Sequence, residues 1–449
     1  METTTSPETK RPLTARYEAL LELEPKLITA YVPKNAPEQK AAFLRGEIRN
    51  PDHEYDRLDA IDFARRHDEL ERAGEQLLST PGLNPKFTGV YESFIDGYKK
   101  KTQLLELAHA YNHASGDEKV GLREEYMRLN IEQYGAPDET TYQSLLQEKL
   151  AAIAGKQLTG QAAALRDELF AMTDYQPGSE IPERFRPSAE TMEWMGEVVD
   201  GLYGNMLAHV PDGKTSFDAQ ETKEIFDTII AEEFGEAAAG WRVDVEDAKA
   251  INVKSTEKRI VIPADRTDIG AEALKGLVVH EIGVHMFRAI TGSETDLEPL
   301  ANGLNGYYDA EEGLGVVMEQ ARKGVFREAG IDHYITAGLA YFGQKDFRDT
   351  YEAKWRLGLL EKLGDGQEIA EADRAKAQST AYSGTMRMFR GTDELPWFKD
   401  LAYYNGAVMT WRHLEEIRGD DLRFTFVLLG KNDPSSKAHE RIVYETSSN

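Results

Sequence analysis

The stretch Val279-His280-Glu281-Ile282-Gly283-Val284-His285 sets two histidines and a glutamate in one short apolar segment. Glu312, the second of an acidic pair, follows 27 residues after His285 (312 − 285), where another helical pattern opens near Ala310. Two neutral imidazoles and a carboxylate are the donor set of a catalytic zinc ion, which keeps a fourth position for water. A further glutamate beside the first histidine can take that water's proton. The expected chemistry is hydrolysis.

The familiar zinc-peptidase signature separates its histidines by four residues, on one helical face. Here the separation is five, from His280 to His285. At 3.6 residues per turn, positions i and i+5 point roughly 140° apart. A wider i→i+5 turn would bring them back together, and such turns recur at functional sites. Gly283 lies inside the interval and tolerates a distorted backbone. The spacing therefore predicts a helix defect at the metal. The competing reading, two unrelated histidines on a packed helix, has to explain Glu281, the apolar Leu277-Val278-Val279 and the downstream Glu-Glu-Gly together.

These residues resemble a known family. "HEIGVH" (280–285) followed by "EEGLG" (311–315) is similar to the DUF1704 family, which includes the microtubule-associated tyrosine carboxypeptidases and bacterial relatives. The resemblance implies that His280, His285 and Glu312 bind zinc and that Glu281 is the base. "NPDHEY" (50–55), "RMFRGT" (387–392) and "FKDLAYYNG" (398–406) resemble further blocks of the family, so the likeness runs from about residue 35 to 415. Gly315 stands where the family pattern has alanine, and the loop between the metal segments is short. The implied activity is removal of a C-terminal, aromatic residue from a peptide or protein.

A carboxypeptidase must hold its substrate's terminal carboxylate. Arg387 and Arg390 lie at i, i+3, and the planar guanidinium suits bidentate capture of such a group. Lys399 offers a point charge for the same role, and the alternative for all three is ion pairing with this chain's many acids. Tyr403 is the expected oxyanion donor, with Tyr404, Tyr307 and Tyr308 as alternatives. His53, His333 and His413 are further candidates for orienting a ligand, weighed against ordinary packing. Asp309 or Glu311 is expected to accept the free N–H of a metal-bound imidazole, and spacing does not choose between them.

Composition bounds the partners. Of 449 residues, 79 are acidic and 53 are Lys or Arg, giving a net charge of −26. Such a surface disfavours nucleic acid and anionic membranes. It also disfavours long-lived complexes with acidic tails, so tubulin is not an expected substrate. There is no cysteine, so disulfides are excluded and metal ligands must be His, Asp or Glu. No apolar run reaches the length of a membrane span, and the first residues lack a signal-peptide core. A cytoplasmic enzyme is expected.

The elements that must position these groups are mostly helices. Residues 1–13 read as a disordered tail, and 14–175 as a helical N-terminal region with amphipathic patterns over 55–78, 87–111, 118–134, 139–154 and 160–173. The Pro-rich stretch 175–187 is the expected boundary to a catalytic region over 188–449. There, 188–209 and 218–234 continue as helices, with Ser188 as the first cap. Two strands, at 241–245 and 259–263, precede the metal helix near 272–290 and suggest a small hairpin or sheet. Its exposed edge could take up an extended peptide. The fold class is thus mainly α, with a zinc-peptidase-like catalytic domain. Two rival functions remain: a zinc endopeptidase or amidohydrolase without carboxylate capture, and a regulatory or scaffold protein whose metal is structural.

Overall fold

The computed structural model describes residues 11–447, which form a mainly helical chain with two small sheets. Most of the expected tail lies outside the described residues. At its end the expectation is corrected, because Pro12 opens the helix Pro12–Leu21. Proline is favoured there, where its missing N–H would find no helical partner anyway. The helix expected over 55–78 is interrupted: Asp56–Asp59 makes one turn, and Asp62 starts Phe63–Leu78 by accepting from the Arg65 N–H at 3.0 Å. Thr88–His113, Gly116–Tyr134, Glu139–Ala154 and Gly160–Met172 follow close to expectation.

Beyond residue 187, Ser188 caps Ala189–Ala208, its hydroxyl accepting from the Thr191 N–H. Asp218 and Glu221 form a reciprocal capping box on Ala219–Ile229. Of the small hairpin or sheet expected from the two strands, a sheet is what forms. Arg242–Glu246 and Arg259–Pro263 pair in parallel, so they are not the two arms of a hairpin. The hairpin is made instead by an unforeseen strand, Asn252–Lys254, antiparallel to the other side of Arg259–Pro263. At three residues, Asn-Val-Lys, it is too short for its alternation to be read as a strand. The apolar Arg259–Pro263 is therefore the central strand, and Asn252–Lys254 is an edge strand packed beside the helix that carries His280 and His285.

Among the described residues, four apolar clusters hold the fold together. One surrounds the helix that carries His280 and His285, where Val278, Val279, Ile282 and Val284 meet Tyr203, Phe226, Ile260, Leu314 and Trp411. The others join the N-terminal helices to later ones. Tyr142, Leu146 and Leu165 pack with Tyr334, Phe347, Phe389 and Phe398, while Tyr31, Leu104 and Tyr126 pack with Leu395 and Trp397. Tyr17, Leu70 and Tyr91 pack with Leu297 and Leu300. The N-terminal helices thus form the floor under the segment 387–399. No helix among the described residues is long and apolar enough to cross a membrane.

One crossing matters most for the site. A Cβ on Gly406 would lie 1.9 Å from the Asp309 carbonyl oxygen, and one on Gly313 would lie 2.1 Å from the Gly406 carbonyl carbon. Helices Tyr308–Lys323 and Ala402–Glu416 therefore touch backbone to backbone. Only glycine permits this approach. It brings the segment that carries Lys399 and Tyr403 against the turn that carries Glu312.

Candidate metal centre

His280 and His285 lie on one continuous helical run, α-helical over Ala271–Leu277 and Phe287–Ser293 and π-helical over Val278–Met286. The Phe287 N–H reaches back five residues to the Ile282 carbonyl, which is the widened turn that the spacing predicts. Gly283 sits where the turn passes closest to its neighbour: a Cβ there would stand 2.7 Å from the Tyr203 ring. The Tyr203 hydroxyl donates to the Gly283 carbonyl at 3.0 Å and so fastens the widened turn to helix Ala189–Ala208.

The two imidazole rings end 4.7 Å apart, centre to centre, at a steep mutual angle of 75°. One donor atom each from His280, His285 and Glu312 lies within 4.8 Å of the others. The second ring nitrogen of each histidine is already engaged. Nδ1 of His280 bonds Glu319 at 2.6 Å, and Nδ1 of His285 bonds Glu311 at 2.8 Å. A carboxylate on Nδ1 fixes the ring and leaves Nε2 to face a cation. The donor set and its wiring fit zinc. Between the two acids that spacing could not separate, the bond goes to Glu311 and not to Asp309.

Glu311 is nearly inaccessible, and burial alone would raise its pKa. Lys431 at 2.9 Å, Arg288 at 2.5 Å and the His285 bond outweigh burial and hold it well below the usual carboxylate range. Arg288 is fully buried and donates also to the Asn432 carbonyl. Around His280 the balance differs: burial works against the imidazolium, but Glu319, Glu281 and Glu312 together push it up to about 9. The surrounding carboxylates thus favour positive charge at this ring. The Glu281 carboxyl is buried beside both histidines, and burial raises its pKa. Gly315 also has its reason here, because a Cβ at that position would meet the His280 ring at 2.6 Å.

A cationic cluster adjoins Glu312. Tyr308, one turn before Glu312, accepts a hydrogen bond from Lys399, whose ammonium lies 4.0 Å from the ring centre. Burial pushes Lys399 down to about 8 against the pull of Asp400 and Glu312. Arg387 grips Asp400 through two bonds, of 2.5 and 2.9 Å, and donates to the Tyr403 hydroxyl at 3.4 Å. Its fork is therefore already occupied by a carboxylate of this chain. Arg390 is held more loosely, 4.0 Å from Asp400 and over the Trp397 ring at 4.6 Å, and its buried Nε has no partner. His333 joins the cluster, its ring 5.9 Å from that of Tyr403 and its pKa lowered by burial.

The remaining candidates lie elsewhere. His53 and Tyr55 both bond Asp393, at 2.8 and 2.6 Å, which ties the segment 50–55 to the turn after Arg390. His413 is buried among Arg423, Phe426 and Asn432. Tyr404 turns away from Tyr403 and lines a cleft of about 640 Å³ with Arg184, Tyr334 and Arg412. Tyr307 packs near Gly303, its pKa raised by burial. Sequence reasoning missed Glu319, Arg288, Lys431, Asp400 and Tyr203. Two of them had a signal: Glu319 is seven residues after Glu312 and Arg288 three after His285, each on the same helical face.

Residues 188–364 match the family model described as microtubule-associated tyrosine carboxypeptidase. The resemblance drawn from the motifs is thus shown over this segment, narrower than the motifs suggested. It contains His280, Glu281, His285, Glu311, Glu312 and Glu319, whereas Arg387, Arg390, Lys399 and Tyr403 lie beyond its end. A comparison with curated proteins found no match.

Proposed function

We propose that this chain is a zinc-dependent peptidase, acting as a carboxypeptidase that removes a C-terminal aromatic residue. The observation that carries the proposal is the convergence of His280, His285 and Glu312 beside a cluster of buried cations. The family match supports the same activity class. His280, His285 and Glu312 would hold the zinc. When bound, zinc would supply Lewis acidity, easing deprotonation of water and polarising the scissile carbonyl.

The chain's own residues do the rest. Glu281 accepts the proton of the attacking water on its carboxylate and passes it to the departing amine. Tyr308 accepts from Lys399 and Tyr403 accepts from Arg387, so each phenol keeps its own O–H free to donate to a developing oxyanion. Arg390 and Lys399 receive the terminal carboxylate, while Arg387 with Asp400 holds Tyr403 in place. An extended substrate can lie along the edge strand Asn252–Lys254. The charge of −26 favours a neutral or basic segment before the cleaved residue over an acidic tubulin-like tail.

The test is a pair of peptides ending in tyrosine, one as the free acid and one as the amide, run on zinc-loaded protein. Hydrogen bonds to charged groups contribute about 1.5–3 kcal/mol, so the acid should be preferred roughly ten- to a hundredfold. Arg390→Ala and Lys399→Ala should erase that preference. Equal cleavage of acid and amide would leave a zinc endopeptidase or amidohydrolase. Stoichiometric metal without hydrolysis of any peptide would point to a structural site.

A further inference from the structure

The last turn of helix Thr88–His113 carries His109 and His113 at i, i+4, on one face. Their rings are 4.6 Å apart, and both Nε2 atoms converge on one carboxylate oxygen of Asp59, at 3.6 and 3.2 Å. These separations are close to the edge of a tetrahedron of donors around a zinc ion, about 3.3 Å for bonds of about 2.0 Å. The three side chains are partly exposed, which leaves a fourth direction open to water or to a partner's donor. We infer that Asp59, His109 and His113 form a second binding site for a divalent transition cation such as zinc, separate from the site at His280.

The competing arrangement is an ion pair between Asp59 and a protonated histidine. A proton between a ring and the carboxylate satisfies two of the three groups, whereas a divalent cation takes all three. Imidazole also selects zinc, nickel or copper over magnesium and calcium, which prefer oxygen donors. The position gives the site a structural consequence. Asp59 ends the one-turn helix Asp56–Asp59, directly after the segment in which His53 and Tyr55 hold Asp393. Phe63, opening the next helix, packs against His109 with ring centres 5.6 Å apart. A metal here clamps residues 50–63 to the long helix and steadies the turn that follows Arg390.

Calorimetric titration of metal-stripped full-length protein with zinc chloride tests the inference. Wild type should take up two equivalents at micromolar metal, and the exposed double variant His109→Gln, His113→Gln should take up one. The double variant His280→Ala, His285→Ala should also keep one, and zinc should still slow amide hydrogen exchange over residues 50–63 in it. Loss of that protection in the His109→Gln, His113→Gln protein completes the assignment. Equal stoichiometry in wild type and His109→Gln, His113→Gln, or uptake at the second site only at millimolar metal, overturns it. Because each variant addresses one site, failure here leaves the reading of the His280 site untouched. If the His280→Ala, His285→Ala protein does not fold, wild type against His109→Gln, His113→Gln decides alone.

Discussion

Around Glu311 the charges are matched: it receives the His285 ring N–H, Arg288 and Lys431, all in a nearly dry interior. Around Lys399 the arrangement is uneven. Arg387, Arg390 and Lys399 share Asp400, Arg387 takes most of it, and burial depresses the pKa of both other cations. The first region is wired to hold donor atoms still, which a metal requires. The second keeps positive charge in reserve where water is scarce, which is costly unless an anion arrives to share it. The Gly313–Gly406 crossing holds the two together, so that the reserve faces the turn bearing Glu312.

Breaking the balanced region should produce the largest effect. Glu311→Gln strands two buried cations, and such a loss costs about 3–5 kcal/mol of stability. It should also weaken metal binding roughly ten- to a hundredfold, as losing a ring-orienting partner typically does. Denaturant unfolding and metal titration would read both, and a variant as stable as wild type would show that the pairing does not hold this region together. Glu281→Gln comes next. It should keep the metal yet lose on the order of a hundredfold or more in turnover. Full turnover by the metal-loaded variant would remove Glu281 from the mechanism.

The uneven region predicts a pH effect of moderate size. Lys399 is charged below about 8 and neutral above it, so its hold on a carboxylate weakens as pH rises through that value. The kcat/KM for a free-acid peptide should therefore fall by up to about tenfold per pH unit above this point. Lys399→Arg should move that limb to higher pH, since guanidinium does not titrate there. An unchanged profile in Lys399→Arg would mean that another group sets the limb. The smallest effect belongs to Tyr203→Phe, which removes one hydrogen bond to the widened turn. A stability loss of about 1 kcal/mol with a slight drop in metal affinity is expected. Neither change appearing would mean that ring packing alone holds the turn.

Much of the metal half is legible in the residues themselves. The types and order of His280, His285 and Glu312 suggest the proposed donor set and Glu281 the proposed base, and the interval of five with Gly283 inside it points to a π-like turn, because backbone geometry over six residues is local. The long helices are legible for the same reason, since their apolar periodicity repeats every turn. The strand order is not: Asn252–Lys254 is too short to carry a pattern, and the parallel pairing of its neighbours depends on the path of the connection. Nor can residue types show that Asp400, 13 residues from Arg387, occupies that guanidinium and leaves Arg390 and Lys399 the freer cations.

Local chemistry thus suggests the proposed donors and base and announces the helix defect, since residue types and their spacing are read directly along the chain. Which acid grips which imidazole, which cation stays unspent, and how near Lys399 comes to Glu312 depend on contacts between residues well separated along the chain, 39 and 26 positions for the two imidazole–carboxylate bonds. Those contacts are set by the packing of whole helices. A glycine pair that lets two backbones touch moves every side chain they carry, and no window of sequence contains both partners.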